Sequence, residues 1–158
     1  MQAMPVELLQ RMPIFGAIRD DTLAVLLERA SEREVTAGEY LFREGDAARS
    51  MFVLLRGDAA VLKRWQGVDH LLHHLHVGDC VGEMALMDLQ PRSATVRADT
   101  PCVVLELSSD DLMRVYEHDL EQFALIQMNM GREVCRRLRA TDELLFSFRM
   151  GDGLLGGT

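Results

Sequence analysis

The apolar positions change texture twice along the chain. Near the start, Leu23, Val25, Leu26 and Leu27 follow Asp20-Asp21-Thr22. Acidic and capping side chains ahead of an apolar stripe mark a helix start, because they satisfy the free N–H groups of the first turn. Pro13 and Gly16 separate this helix from a shorter one around residues 5–11. From residue 31 to 108 the runs are short: Glu34-Val35, Tyr40-Leu41-Phe42, Met51-Phe52-Val53-Leu54-Leu55, Ala59-Ala60-Val61-Leu62, residues 71–77, Ala94-Thr95-Val96 and Cys102-Val103-Val104-Leu105. Gly-Asp pairs at Gly45-Asp46, Gly57-Asp58 and Gly78-Asp79 punctuate them. Short strands with closely spaced turns predict an antiparallel sandwich or barrel. Strand–helix alternation is absent, which argues against a parallel α/β sheet.

After residue 108 the period lengthens again. Ser108-Ser109-Asp110-Asp111 caps a helix that carries Leu112, Met113 and Val115. A long helix is then predicted over residues 119–149, which hold no proline and a single glycine, Gly131. Leu120, Ala124, Gln127, Gly131, Val134, Leu138, Thr141, Leu145 and Phe148 follow one another at alternating gaps of four and three. That spacing is a seam along which a helix packs on a partner helix, so a homodimer is expected. Leu125, Ile126, Met128, Cys135 and Leu144 lie off the seam and leave packing on the chain's own domain open. The expected organisation is N-terminal helices over 1–30, a β domain over 31–108, C-terminal helices over 109–150 and a flexible Gly-rich tail over 151–158.

Composition narrows the function. Lys plus Arg is 17 and Asp plus Glu is 25, a formal net charge of −8 over 158 residues. Duplex affinity rests on many basic contacts, so broad phosphate-backbone binding is not expected. A small anion held in one local basic pocket remains compatible with that charge. Cys80, Cys102 and Cys135 are odd in number and form no CxxC. Reduced thiols and a cytoplasmic location follow. No basic-then-apolar leader opens the chain and no run approaches the ~20 apolar residues of a membrane span.

The chemistry concentrates in residues 78–96. Gly82 allows a close backbone approach, and Glu83-Met84-Ala85-Leu86-Met87 are helix formers sufficient for one short turn. The N-terminus of a turn presents free N–H groups to a phosphate. Arg92 follows nine positions after Glu83 with Ser93 beside it. A guanidinium forks onto two phosphate oxygens. A carboxylate repels phosphate, so Glu83 is suited instead to accept from sugar hydroxyls. An acid for ribose and a base for a single phosphate describe a nucleotide.

At these residues the chain resembles the cyclic nucleotide-binding domain family, including the sensor half of the cAMP receptor protein class of bacterial regulators. The family cassette reads G-E-[LM]-A-L, a short loop, then P-R-[AST]-A. It stands here as Gly82-Glu83-Met84-Ala85-Leu86 and Pro91-Arg92-Ser93-Ala94. Residues 37–46 resemble the family's first hairpin and residues 51–57 its following strand. The resemblance implies a mainly β fold, a jelly-roll-like antiparallel β-roll of about eight strands with N-terminal helices and a long C-terminal helix. It places Gly82, Glu83, Met84 and Ala85 along the ribose-phosphate, with Glu83 on the 2′-hydroxyl, and Val81 among the ligand-binding residues. Arg92 and Ser93 fall on the cyclic phosphate and Ala94 on the cradle wall. Val61, Leu72, His73 and Leu75 lie on strands that approach the base, and Thr141 matches a threonine that contacts adenine. Cys80 stands where the family has an aromatic residue. Asp142 replaces a small hydroxyl residue that reaches the ligand across the dimer.

The expectation is a receptor for cAMP, with cGMP as the alternative ligand. It is not expected to be an enzyme, to hold a metal, or to bind DNA or membrane. Ligand binding is expected to reposition the C-terminal helix for an unknown protein partner. An interaction scaffold with a vestigial pocket and the sensor fragment of a larger regulator are the competing readings. His74 and His76 could share one strand face toward an ion, but the spacing fixes no third ligand. Arg132, Arg136, Arg137 and Arg139 read as the solvated side of a long helix.

Overall fold

The computed structural model describes residues 5–155. Helices α1 (Pro5–Gln10) and α2 (Asp20–Leu27) flank a 3-10 turn at Pro13–Phe15. Eight strands follow: β1 (Ser31–Val35), β2 (Tyr40–Phe42), β3 (Ser50–Arg56), β4 (Ala59–Trp65), β5 (Val68–Leu75), β6 (Cys80–Val81), β7 (Thr95–Ala98) and β8 (Cys102–Ser108). Helix α3 (Glu83–Asp88) interrupts the strands between β6 and β7, and α4 (Ser109–His118) and α5 (Leu120–Leu155) close the chain. The strands form two four-stranded antiparallel sheets, in the orders β1-β8-β3-β6 and β2-β7-β4-β5. This is the β-roll that the sequence predicts.

The period-2 geometry of β3 explains why its sequence is apolar throughout. Met51, Val53 and Leu55 belong to a core shared with the helices, whereas Phe52 and Leu54 belong to the roll interior. Strand β8 divides in the same way, with Leu105 and Leu107 toward the helices and Cys102 and Val104 toward the roll. Alternate side chains on a strand face opposite sides, so a sheet covered on both faces needs no polar alternation.

The helix caps differ in chemistry. Ser108 caps α4 in a reciprocal box with Asp111, as its sequence predicts. At α2 the cap is Arg19, which makes no side-chain capping bond. Asp20 and Asp21 sit instead within the first turn, where carboxylates favour the positive end of the helix. Helix α5 is fastened to the N-terminal helices over its first turns. Ile126 and Met130 are buried, Arg19 N donates to Gln122 Oε1 at 2.8 Å, and Asn129 Nδ2 donates to the carbonyls of Ile14 and Gly16 at 3.0 and 2.9 Å. Farther along, the seam residues Leu138, Leu145 and Phe148 are exposed. Of the off-seam residues, Leu125 and Ile126 therefore serve the chain's own domain in the first part of α5, and the seam is left open in the second. The tail departs from expectation: the helix does not end near residue 150 but runs on to Leu155. Gly151 and Gly153 are tolerated in it at roughly 1 kcal/mol each relative to alanine. Residues 156–158 of the expected flexible tail lie outside the described residues.

Candidate ligand site

The turn between β6 and α3 sets the site. Gly82 takes φ +87°, a left-handed conformation that suits glycine. A Cβ there would run into Arg92 Nη1 and lie 3.3 Å from Ser50 O. The position therefore needs glycine both for its backbone and for the guanidinium that occupies the space. No side chain caps α3, so its first N–H groups are not claimed by one.

Arg92 is 6% exposed, yet among the described residues no carboxylate pairs with it. Its Nη2 donates to Ser50 Oγ at 3.4 Å, and Ser50 Oγ donates in turn to Glu106 Oε1 at 2.8 Å. Among the described residues, Nε and Nη1 have no hydrogen-bond partner. Burial pulls the pKa of Arg92 below the usual guanidinium range. The loop is bracketed by backbone bonds from β2's turn: Gly45 N donates to Arg92 O and Arg92 N to Asp46 O, both at 2.9 Å. Lys63 reinforces it by donating to Ser93 O at 2.6 Å.

Glu83 is 1% exposed and pairs through Oε1 with Arg137 Nη1 of α5, while its Oε2 has no partner among the described residues. The buried carboxylate and the buried guanidinium thus stand in one wall, each with an unused polar atom. Buried polar atoms are nearly always satisfied, and those that are not point to a missing partner. An anion with adjacent hydroxyl groups would supply both.

Val81, Gly82, Glu83, Met84, Ala85, Arg92, Ser93 and Ala94 line one cavity of about 210 Å³. Val61, Leu72 and His73 border it as well. Leu75 and Thr141 do not. Leu75 is buried in the roll interior and borders a neighbouring cleft of about 520 Å³, which Thr141 also borders from α5. His73, Cys80 and Arg137 border both cavities. Thr141 Oγ1 donates to Arg137 O at 2.9 Å. Burial, with the Glu83 carboxylate adding to it, pushes the Cys80 thiol up to about 12, so it stays protonated. Part burial and the Arg137 cation hold His73 below the ordinary imidazole value.

Arg137 and Phe42 are among the lining residues that the sequence reading did not assign to the site. Arg137 was grouped with solvated arginines but reaches Glu83. Its position four residues before Thr141, one helical turn away, was the available signal. Phe42 came from a strand of the first hairpin and carried no motif. The histidines do not gather: His74 Nδ1 faces Asp99 at 3.6 Å and His76 Nδ1 faces Asp58 at 3.0 Å.

The cyclic nucleotide-binding domain family matches residues 32–119. Over 126 residues the chain is 31% identical to the cAMP-activated global transcriptional regulator CRP of Salmonella typhimurium, covering 78% of this chain and 58% of that protein. Over 107 residues it is 31% identical to a cAMP-dependent protein kinase regulatory subunit of Emericella nidulans, covering 68% of this chain and 26% of that protein. The solved N-terminal domain of a transcriptional regulator from Streptomyces coelicolor is similar at a TM-score of 0.71 and 31% identity, over 86% of this chain and 95% of that one. The chain spans about three fifths and about a quarter of the length of the two curated relatives. With more than half of its length matched and its cassette folded around a buried acid and base, the chain belongs to the cyclic nucleotide-binding domain family.

Proposed function

We propose that the chain is a sensor for cAMP, a regulatory module rather than an enzyme, that reports ligand occupancy through α5. The observation that carries this reading is Arg92: a buried guanidinium with two unused nitrogens and, among the described residues, no carboxylate paired with it. Its charge is compensated best by a single phosphate. Glu83 Oε2 would accept from the ribose hydroxyls, while Oε1 keeps Arg137. One carboxylate would then join the ligand to α5, and occupancy would shift the population of docked helix. The choice of cAMP over cGMP rests on the ligand named for both curated relatives, which supports it by kinship. A metal plays no part in this mechanism. Calorimetric titration of the parent with cAMP and with cGMP tests it. Saturable binding with the tighter constant for cAMP is expected. No heat from either nucleotide, at several temperatures and high protein concentration, would overturn it in favour of a scaffold.

The partner of α5 is proposed to be a second copy of this chain. Leu138, Leu145 and Phe148 follow the seam and are 59%, 52% and 64% exposed. Apolar side chains repeated at that spacing are buried by an equivalent helix. Sedimentation should give a dimer for the parent and a monomer for Leu138→Glu/Leu145→Glu. A variant that sediments like the parent would remove the seam from the interface. Among the described residues no helix is long and apolar enough to cross a membrane. Neither membrane nor DNA contact is part of the proposal. A reducing cytoplasm suits the three free cysteines. A downstream protein partner would read the position of α5.

A further inference from the structure

Arg92 poses a physical problem that the binding reading does not solve. A buried cation without a counter-ion is costly, and a flexible arginine would ordinarily swing to water or to a nearby carboxylate. Here the nearest acid in its hydrogen-bond chain, Glu106, is one hydroxyl away through Ser50. Something must keep the guanidinium in the cavity before a ligand arrives.

The geometry supplies it. The Arg92 guanidinium carbon lies 4.1 Å from the centroid of Phe42 and 5.6 Å from that of Phe52. The two rings stack on each other, with centroids 5.8 Å apart and planes inclined by 29°. Arg33 covers Phe52 at 5.1 Å and donates to Leu41 O at 2.9 Å, fixing the strand that carries Phe42. A cation over an aromatic face is attracted by the ring quadrupole, and the attraction grows when water is excluded. It consumes no hydrogen-bond donor: Nε and Nη1 stay without partners among the described residues. That matters, because those donors are what a phosphate would bind. A carboxylate in the place of the ring would occupy the N–H groups and compete with the ligand.

We infer that Phe42 is the positioning residue for the anion: its ring holds Arg92 in the cavity wall and so keeps Nε and Nη1 unpartnered for the phosphate. This inference rests on the cyclic nucleotide reading. It goes further in assigning a function to a residue that lies 40 positions before the cassette and carries none of its motif.

The test uses the whole chain with Phe42→Leu, which keeps an apolar side chain, and Phe42→Tyr, which keeps the ring. Titration with cAMP should show affinity lowered by about tenfold in Phe42→Leu, the size expected of a partly desolvated cation–π contact. Phe42→Tyr should stay within about twofold of the parent on the same scale. In an Arg92→Ala background, Phe42→Leu should not lower residual binding further, because the ring acts only through that guanidinium. Equal affinity for the parent and Phe42→Leu would overturn the inference, as would an equal loss in Phe42→Leu and Phe42→Tyr at unchanged thermal midpoints. A second readout needs no ligand. The Arg92 Nε–H proton should be shifted by the ring current in the free parent and in Phe42→Tyr, and return toward the ordinary arginine position in Phe42→Leu. Failure of the parent to bind any cyclic nucleotide would count against the functional reading. The proton shift would still decide whether Phe42 holds Arg92, and an unshifted signal in the parent would refute that.

Discussion

Replacing Arg92 by methionine is expected to weaken cyclic nucleotide binding by about two to four decades and to leave the ligand-free chain at least as stable as the parent. The two effects have one cause. In the free chain Arg92 is a buried cation with a single 3.4 Å bond to a hydroxyl and two unpartnered nitrogens. Keeping it desolvated costs free energy that the stacking on Phe42 offsets in part. Methionine removes the charge, fills much of the same volume and makes its own favourable sulfur–aromatic contact with Phe42. In the bound chain the two free nitrogens would each donate to a phosphate oxygen. Hydrogen bonds to charged groups contribute about 1.5–3 kcal/mol each, so losing both raises Kd by about two to four decades. Thermal unfolding reads both effects at once. At a cAMP concentration of ~100 Kd the parent should gain ~2.7 kcal/mol, a rise in Tm of about 5–10 °C for a domain of this size. Arg92→Met should start no lower and gain little. A variant that unfolds well below the parent without ligand would mean that Arg92 holds the roll together. The unused nitrogens would then have no bearing on a phosphate.

The sequence made the cassette legible because its parts are contiguous. Gly82, Glu83, Arg92 and Ser93 are delivered by one turn, one short helix and one loop, so their spacing along the chain is nearly their arrangement in space. Strand β3 was legible for a related reason: a buried run between turns has few other places to go. The base-facing positions were less so. Strands β4 and β5 shift register between Val61 and Leu62, where His73 stands opposite Val61 and Leu71 opposite Leu62. A bulge of this kind inverts the inward and outward alternation beyond it. Counting by twos therefore cannot decide which of Leu72, His73 and Leu75 faces the cavity. Leu72 and His73 do, and Leu75 is absorbed by the roll interior. Arg137 and Phe42 were illegible for a different reason. Their roles depend on which helix turn and which strand come to rest against the cassette, and tertiary packing alone decides that.

The ion pair between Glu83 and Arg137 provides the second large prediction, because its two ends are not equivalent. The Glu83 side chain is 2% exposed and that of Arg137 is 44% exposed. Arg137→Ala strands a buried carboxylate, the situation in which breaking a pair costs most, on the order of 3 kcal/mol. Glu83→Gln keeps the shape and releases Arg137, which can extend into water from its half-exposed position at little cost. The ligand-free Tm should therefore fall clearly in Arg137→Ala and only slightly in Glu83→Gln. Binding should fall in both, for different reasons. Glu83→Gln replaces the charged acceptor of the ribose hydroxyls and should weaken cAMP by about one to two decades. Arg137→Ala leaves Glu83 Oε2 in place and should lose only the coupling to α5, about 5- to 150-fold where such couplings are typical. The discriminating measurement is amide hydrogen exchange across α5. In the parent, cAMP should increase protection beyond Gly131, since ligand and Arg137 hold the same carboxylate. In Arg137→Ala the nucleotide should still bind at high concentration but protect the cassette alone. By reciprocity, a helix that no longer feels the ligand can no longer tighten it. Protection of α5 that survives the loss of Arg137 would show that the signal travels by another contact, with the cleft beside Thr141 the next place to look.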